Sequence, residues 1–453
     1  MNSIKLFLSL CALTGIFFMT SCGDDEEPTT PPAVENTSAL CQDGTDNDGD
    51  GLTDCDDPEC QDFSFCEVIP ATETISGSLG TRTLTNDRIW IMDGFTYVSD
   101  GDVVTIDPGT IIKAEDGQGS DATAFIVARG GEVIANGTAT SPIIFTSIND
   151  NIALGETASS GLSNDISGSG QWGGVIILGN APISAGSSSA IAGVSPVGSE
   201  ATIEGVPASL SYSRYGGSVA GDDSGEYSYI SIRYTGTQLG ANNEIQGLTL
   251  GGVGSGTIIS DIEIFGSKDD GIECFGGTVD VTNLLVAYQE DDAIDIDQSY
   301  DGTIDNALVL NFTVDRNPSD PNDPNDTGAL EIDGPEQPGT NDGGTFTLTN
   351  ATIMNMVSPL TDGFPGQLKS GAQGEINNTA FVDFSGARLF EVNSVSAFTL
   401  DTIEFDDATG FENNDSNPAD LTTMSISTGV DPATVGADAT AFDWTFAKSL
   451  SLF

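Results

Sequence analysis

The chain repeats one short phrase three times, as Asp269-Asp270-Gly271-Ile272-Glu273-Cys274, as Asp291-Asp292-Ala293-Ile294-Asp295-Ile296, and as Asp326-Thr327-Gly328-Ala329-Leu330-Glu331-Ile332-Asp333. The first two copies are offset by 22 residues (291 − 269), and the third follows an insertion rich in Asn, Asp and Pro. A period of about 20–25 residues with alternating apolar and acidic positions is typical of a solenoid of stacked β-coils. The phrase therefore predicts that its copies lie one above another.

Stacking turns the repeat into files of equivalent side chains on neighbouring strands, about 4.8 Å apart. Because side chains alternate along a strand, we expect Ile272 and Ile294 to point into the coil. Glu273, Asp295 and Glu331 then point outward as a file of carboxylates, which repel one another and indicate a cation or a polar ligand. The candidate residues of this acidic file are Asp269, Asp270, Glu273, Asp291, Asp292, Asp295, Asp297, Glu331 and Asp333.

The rest of the chain from about Ala71 onward has the same character. Short runs of Val, Ile, Thr, Phe and Leu alternate with Gly, Asn, Asp and Ser turns, and long amphipathic helical patterns are missing. A sandwich or a propeller would show hairpin spacing, whereas the 22-residue offset favours a right-handed parallel β-helix. We predict an all-β fold with this β-helix over residues 71–453. Its open ends need covers, for which residues 71–100 with Trp90 and residues 442–446 are the candidates.

The N-terminus has the features of an export signal. Lys5 provides a positive charge, and residues 6–19 form an apolar run too short to span a membrane. Met19-Thr20-Ser21-Cys22 resembles a lipobox, which implies that residues 1–21 are removed and that Cys22 carries a lipid. An ordinary secretory signal with a chance Cys is the alternative.

An acidic and Pro/Thr-rich stretch follows Cys22, and we interpret residues 22–40 as a tether. The acidic residues directly after the Cys resemble the surface-export signal of lipoproteins in certain Gram-negative bacteria. We predict a lipid-anchored protein of the outer membrane, on the cell surface, that contacts the membrane through its lipid only.

Four cysteines lie close together in residues 41–66, at Cys41, Cys55, Cys60 and Cys66. In an exported protein we expect them to form two disulfides, and three pairings are possible. Cys274 stands apart and alternates with Ile272, which predicts a small buried residue rather than a nucleophile.

The Cys-framed segment also contains a loop of oxygen-bearing residues. Counted from the first of them, positions 1, 3, 5, 7, 9 and 12 are Asp46, Asp48, Asp50, Leu52, Asp54 and Asp57, and Gly51 stands at position 6. This is the spacing of an EF-hand-type calcium loop, in which position 6 makes a sharp turn and position 7 contributes its backbone carbonyl. It predicts a Ca²⁺ site, although Asp57 replaces the usual Glu and no flanking helices are indicated. A solvated acidic linker is the alternative.

This segment resembles the aspartate-rich calcium repeats of thrombospondin type 3. The resemblance rests on Asp46-Asn47-Asp48-Gly49-Asp50-Gly51 within its frame of cysteines, and it is confined to residues 41–66. It implies a small calcium-binding segment, which we expect to stiffen the stalk between the lipid and the solenoid.

A second resemblance covers roughly residues 75–450. The chain is similar to a group of bacterial lipoproteins with pectin-lyase-like β-helices in the two Asp-Asp phrases and in the following stretches: Gly170-Gln171-Trp172-Gly173-Gly174-Val175-Ile176-Ile177-Leu178-Gly179, Asp222-Asp223-Ser224-Gly225, and Tyr229-Ile230-Ser231-Ile232-Arg233-Tyr234. The resemblance implies the β-helix fold and a surface location, and it implies no particular reaction.

The charge of the chain excludes several partners. Lys and Arg total 12 against 69 Asp and Glu, which gives a formal net charge of −57, and the chain contains no His. Such a surface repels nucleic acids and anionic membranes. Without His, the commonest general base and the usual zinc ligand are missing.

Three functions are compatible with this sequence. The first, which we expect, is non-catalytic binding or adhesion to a polysaccharide or a surface protein, with Ca²⁺ bound in the stalk. The second is a polysaccharide depolymerase, either a glycoside hydrolase with paired carboxylates or a calcium-dependent lyase, which also needs a basic proton acceptor. Lys268 lies beside the first acidic pair and Arg316 lies in the later insertion, and neither forms a recognisable catalytic constellation. The Asp-Asp pairs resemble the polygalacturonase motif only weakly, because that family's His and basic partners have no matching positions. The third is a structural spacer on the envelope.

Overall fold

The computed structural model describes residues 34, 36–61, 63, 66, 70–240, 243–311, 329–356, 365–384, 390–405, 412–413, 420–430 and 434–453. The signal segment, Cys22 and most of the tether lie outside the described residues, as do Arg316 and the first three residues of the third repeat. The chain divides into two compact units, Met1–Ile69 and Pro70–Phe453. None of the helices in the described residues is long and apolar enough to cross a bilayer.

The second unit consists almost entirely of β-strands. In chain order they are β1 (Thr72–Ser78), β2 (Arg82–Leu84), β3 (Ile89–Val98), β4 (Val103–Ile106), β5 (Ile111–Ala114), β6 (Ala124–Val127), β7 (Glu132–Asn136), β8 (Ile143–Ser147), β9 (Val175–Leu178), β10 (Ala201–Thr202), β11 (Arg214–Tyr215), β12 (Gly225–Thr235), β13 (Gln238–Gly240), β14 (Asn243–Glu244), β15 (Leu248–Gly251), β16 (Ile258–Ser267), β17 (Ile272–Phe275), β18 (Val281–Gln289), β19 (Ile294–Asp297), β20 (Thr303–Asn311), β21 (Leu330–Asp333), β22 (Phe346–Asn355), β23 (Gly366–Lys369), β24 (Ala372–Val382), β25 (Glu391–Val392), β26 (Val395–Phe405), β27 (Glu412–Asn413), β28 (Leu421–Thr423) and β29 (Ile426–Thr428).

Helical elements are short. The first unit carries 3₁₀ turns at Leu40–Gln42 and Asp54–Asp56, and the second carries them at Gly119–Asp121, Ile166–Gly168, Ser211–Ser213 and Ala439–Phe442. An α-helix, α1, spans Phe446–Ser449 in the C-terminal tail, as we call residues 434–453.

Strands one coil apart pair in parallel and form three faces along the solenoid. The groove face, which carries the candidate site, runs through the second half of β3 and then β6, β9, β15, β17, β19, β21, β23, β25 and β27. The second face contains β4, β7 and the first halves of the long strands from β12 to β26. The third face contains β5, β8 and the second halves of those strands. This parallel stacking confirms the predicted β-helix.

The long strands bend where the second and third faces meet. Asp261, Asn283, Asn306, Asn350 and Asn378 occupy this position on successive coils, with φ between 45° and 62°. Asp and Asn tolerate the left-handed region better than most residues with a Cβ. The amide of Asn283 donates to Asp261 (2.9 Å), and the amide of Asn306 donates to Asn283 (2.6 Å). These bonds hold successive coils in register.

The interior is a column of aliphatic side chains, as the repeat predicts. Ile272, Cys274 and Ile294 are fully buried, within a cluster that extends from Ile75 to Phe405. Burial raises the pKa of the Cys274 thiol, so this cysteine packs as a small apolar residue and has little thiolate character.

The two candidate end covers are placed differently from the prediction. Residues 71–100 form the first coils themselves, and Trp90 lies in their core. Residues 442–446 pack against the third face rather than over the C-terminal end, and the Phe446 ring lies 4.8 Å from the Phe265 ring. That face carries outward apolar residues such as Leu285 and Leu308, which the tail buries. Covering this apolar stripe explains the position of the tail.

Candidate functional site

The groove face carries a file of outward acidic side chains. Glu273 of β17 lies opposite Asp295 of β19, which lies opposite Glu331 of β21. The file continues with Gln367 of β23 and is preceded by Thr249 of β15. The parallel ladder therefore aligns side chains from coils that are separated in sequence.

Asp295, Glu331 and Gln367 of this file line a groove of about 310 Å³, and Glu273 lies beside it. The turns before β17 and β19 add further carboxylates, and the backbone N–H of Asp292 donates to Oδ1 of Asp270 (2.9 Å), which links the two turns. The residues that line the groove are Asp270, Asp291, Asp292, Asp295, Glu331, Gln367 and Lys369. With five carboxylates and one ammonium group among these residues, the groove attracts cations.

Two groups of three carboxylates share Asp270. Oxygen atoms of Asp269, Asp270 and Asp291 lie within 4.8 Å of one another, and so do oxygen atoms of Asp270, Glu273 and Asp295. The structure thus brings five of the predicted candidates into two overlapping groups.

The other candidates border these groups. Asp292 lines the groove and is 3% exposed. Asp297 lies opposite Phe275 at the end of its strand, and burial together with the nearby Asp333 raises its pKa well above the usual range. Burial also raises the pKa of Asp333, to about 6, although Lys369 opposes the shift.

Glu273 is the least exposed carboxylate in the two groups of three. Its side chain is 6% exposed, and its Oε2 accepts no hydrogen bond from the described residues; the same holds for Oδ1 of Asp295. Burial, reinforced by neighbouring carboxylates, raises the pKa values of Asp270, Glu273 and Asp295 well above their usual range. A buried carboxylate oxygen without a donor is unfavourable, so Glu273 and Asp295 require a proton or a cation.

The geometry of the groups is compatible with calcium. Ca²⁺ binds oxygen at about 2.3–2.6 Å, so two of its ligands are at most about 5 Å apart. The separations within each group stay under 4.8 Å. Carboxylate oxygens suit Ca²⁺, Mg²⁺ and Mn²⁺ rather than soft metals, and a divalent cation would favour the ionised form of every carboxylate around it.

The groove ends at Lys369, a residue that the repeat did not reveal. Its Nζ forms an ion pair with Glu331. Burial opposes the charged form, but Glu331 and Asp333 raise the pKa of the ammonium group above its usual value. The strand keeps the alternation of the repeat, with Leu368 fully buried between Gln367 and Lys369. This alternation is the sequence feature that could have placed Lys369 on the outer side of the groove face.

The first unit contains the two expected disulfides. They join Cys41 to Cys60 and Cys55 to Cys66, which is one of the three pairings that the sequence left open. Together with Phe63 the four cysteines form a small core, so this segment is held together by covalent bonds rather than by a large apolar interior.

Four carboxylates meet in this segment. Oxygen atoms of Asp48, Asp50, Asp57 and Glu59 lie within 4.8 Å of one another, and Asp57 is fully buried. Glu59 was missing from the predicted loop because it lies two positions beyond the last ligand of the EF-hand spacing. A hydrogen bond with Asp57 raises the pKa of Glu59, as expected for carboxyl groups that share a proton.

The other predicted loop residues lie outside this group of four carboxylates. Asp46 accepts hydrogen bonds from the N–H groups of Gly49 (2.6 Å) and Gly51 (3.0 Å), and Asp54 accepts from the N–H of Gly44 (3.0 Å). These bonds shape the loop. The side chain of the remaining predicted ligand, Leu52, is exposed.

Comparison with known proteins places the fold in a family. The family model described as "Pectate-lyase like beta helix domain" matches residues 78–447. No curated protein sequence is significantly similar to the chain.

Among solved structures, the chain is similar to the enzymatically active domain of bacteriophage CBA120 tailspike protein 2, with 12% identity and a TM-score of 0.25 over 75% of this chain and 42% of that chain. The full-length tailspike protein 2, from an Escherichia coli O157:H7 bacteriophage, gives 11% identity and the same TM-score over 75% and 38%. The chain spans less than half of either tailspike, and similarity this low indicates nothing about its function. The family match extends over most of the chain, which therefore belongs to the pectate-lyase-like β-helix domain family.

Proposed function

We propose that this protein is a lipid-anchored surface protein that binds a polysaccharide in the acidic groove through a bound Ca²⁺ ion, without cutting it. The group formed by Asp270, Glu273 and Asp295 carries the proposal, because it combines three close carboxylates with a buried oxygen that the described residues leave without a donor. Ca²⁺ takes about six to eight oxygen ligands. Three carboxylates therefore leave coordination positions for sugar hydroxyl groups.

The chemistry of the groove also indicates the class of polysaccharide. Five carboxylates against one ammonium group among the lining residues repel an anionic chain and accept an uncharged one. The name of the matched family refers to pectate, which supports a polysaccharide as the ligand; pectate itself is anionic, so the choice of a neutral glycan rests on the charge of the groove alone. We therefore favour a neutral glycan whose hydroxyl groups complete the coordination of Ca²⁺.

A binding screen tests the proposal. Amylose, mannan, galactan and β-1,3-glucan are the neutral probes, and polygalacturonate and alginate are the anionic ones, each titrated with Ca²⁺ and with EDTA. The test variant is Asp270→Asn/Glu273→Gln. Its matched control is Asp93→Asn/Glu115→Gln, which makes the same charge change at two exposed positions outside the groove.

We expect the wild type and the control to bind at least one neutral glycan with Ca²⁺ and to lose it in EDTA. The groove variant should bind at least about tenfold more weakly. Binding that persists in EDTA, or that the groove variant retains, contradicts the proposal. Failure of every glycan to bind favours a structural spacer.

A second candidate function is glycoside hydrolysis. Asp295 and Glu331 face each other on strands about 4.8 Å apart, close to the roughly 5 Å between the carboxyl groups of retaining glycosidases. Glu331 forms an ion pair with Lys369 and is the candidate nucleophile. New reducing ends from the same glycans, lost in Glu331→Gln, would establish this activity, whereas unsaturated products would indicate a lyase.

The proposed location rests on the N-terminal sequence. Cys22 would carry the lipid, residues 22–40 would form the tether, and residues 41–66 would form a calcium-stiffened stalk. Metabolic labelling with palmitate should mark the wild type and not Cys22→Ser, and protease added to intact cells should digest the labelled protein. Labelling of Cys22→Ser, or protection from the protease, would contradict this location.

A further inference from the structure

A second cavity, of about 770 Å³, lies beside the insertion that follows β9. The insertion comprises residues 180–215, and the N–H of Gly216 closes its base by donating to the carbonyl of Gly179 (2.9 Å). Ile183 and Tyr215 pack it onto Ile176 of the groove face in a small apolar core of their own. The cavity is therefore part of a folded element.

The walls of this cavity combine apolar and hydroxyl groups. Phe95, Val206 and Leu210 provide apolar surface, and Ser188 and Ser189 provide hydroxyl groups. A pyranose ring presents the same combination, with apolar C–H faces and a polar rim. One carboxylate and no basic side chain occur among the lining residues, which suits an uncharged ring rather than an anionic one.

A chain of hydrogen bonds runs from the cavity to Thr249, one strand away from the acidic file. Glu204, which lines the cavity, accepts from the side chain of Gln246 (2.7 Å), and Gln246 accepts from the hydroxyl of Thr249 (2.7 Å). Gln246 and Thr249 are almost fully buried, which fixes both side chains. Thr249 lies directly opposite Glu273 in the ladder, so the near wall of the cavity approaches the acidic file.

We propose that this cavity binds an uncharged pyranose unit of the same polysaccharide whose neighbouring part occupies the acidic groove. The inference rests on the proposed function and adds the length of the ligand to it. The strands of Phe95 and Glu273 are four steps apart on the groove face, or about 19 Å. A ligand that contacts both Phe95 on the far wall and the acidic groove is therefore an oligosaccharide of several units, and joining two weak sites strengthens binding without any new contact.

Calorimetry with sugars of two lengths tests the inference. The probes are maltose and maltohexaose, mannobiose and mannohexaose, galactobiose and galactohexaose, and laminaribiose and laminarihexaose, all with Ca²⁺. Ser188→Trp fills the cavity from an exposed position, and Phe95→Ala removes part of its apolar wall. Val219→Trp adds the same bulk at an exposed position that does not line the cavity and is the control.

For the sugar that binds, we expect the wild type and Val219→Trp to bind the hexaose at least about tenfold more tightly than the disaccharide. Ser188→Trp and Phe95→Ala should lose this advantage and keep their affinity for Ca²⁺ alone. A hexaose that binds equally to wild type and Ser188→Trp, but not to Asp270→Asn/Glu273→Gln, overturns the inference and leaves the proposed function intact. If the wild type binds none of the sugars, both fail.

Discussion

Two outward-facing glutamates on successive coils, Glu263 of β16 and Glu273 of β17, are both buried, with exposures of 0% and 6%. Glu263 lies on the third face and accepts hydrogen bonds from the hydroxyl of Ser231 (2.6 Å) and from the N–H groups of Phe446 (3.0 Å) and Ala447 (2.8 Å). Glu273 lies on the groove face among other carboxylates, and its Oε2 has no donor among the described residues. The described residues provide donors to both oxygens of Glu263 and leave Oε2 of Glu273 without one.

Arg233 completes the environment of Glu263. Its side chain is 1% exposed, its Nε donates to the hydroxyl of Ser231 (2.7 Å), and its guanidinium lies 4.4 Å from the centre of the Phe446 ring. The charged groups on the third face thus attach the C-terminal tail to the solenoid. Burial of a charged group therefore does not identify a binding site unless its partners are also missing.

The largest expected effect is on the third face. Replacing Glu263 with Ala removes the stronger of two carboxylate influences on the buried Arg233, with Asp150 as the other. It also removes the acceptor that holds the tail, so the free energy of unfolding should fall by about 3–5 kcal/mol. Urea unfolding followed by circular dichroism measures the change. Equal destabilisation by Glu273→Ala in EDTA would remove the distinction between the two glutamates.

The next largest effect is the response of Glu273 on the groove face to Ca²⁺. In EDTA, Glu273→Gln should unfold at the same or a higher temperature than the wild type, because it removes a buried repulsive charge. With Ca²⁺ at about 100 times its dissociation constant, the wild type should gain about 2.7 kcal/mol through the groove site, and the variant should lose this gain. Thermal unfolding with and without Ca²⁺ measures both. A wild-type gain that Glu273→Gln retains in full would contradict the assignment.

A third effect concerns pH. The pKa values of the groove carboxyl groups are raised in the folded state, so the folded chain binds more protons than the unfolded chain, and stability falls as the pH rises. For Asp333, which faces Glu331, Glu336 and Lys369, the loss should occur between its unfolded pKa near 4 and its folded value of about 6. Urea unfolding in EDTA at several pH values measures it, and Asp333→Asn should flatten this part of the curve. Rising wild-type stability across this interval would contradict the prediction.

The smallest effect separates the two calcium sites. Glu59→Gln should weaken Ca²⁺ binding in the first unit by removing one of four converging carboxylates, and it should leave the groove site unchanged. Asp46→Asn should weaken Ca²⁺ binding less, because Asp46 accepts hydrogen bonds from two backbone N–H groups. Ca²⁺ titration of the two variants measures the difference, and a stronger effect of Asp46→Asn would restore the EF-hand spacing as the ligand pattern.

The sequence predicted those parts of the fold that repeat. The 22-residue offset aligns Glu273 with Asp295, and the alternation places Ile272 and Cys274 inside, as the structure has them. The position of the C-terminal tail could not be predicted in this way, because it depends on an apolar stripe assembled from several coils. A repeat also does not indicate which acidic residues obtain donors from distant segments, as Glu263 does from residues 446 and 447.

The candidate site was predicted only in part for the same reason. Strand pairing places Lys369 at the groove, and the insertion after β9 places Glu204 at the second cavity. Neither residue belongs to the repeated sequence. In the first unit, the linear EF-hand spacing missed Glu59, because two disulfides fold this segment differently from a helix-flanked loop.

Calorimetric titration of the mature chain with Ca²⁺ at neutral pH tests the central claim most directly. The account predicts two sites in the wild type and in Asp93→Asn/Glu115→Gln, and only the site of the first unit in Asp270→Asn/Glu273→Gln. A groove variant that binds as many Ca²⁺ ions as the wild type, with the same affinities, would contradict the claim that the acidic groove is a cation site.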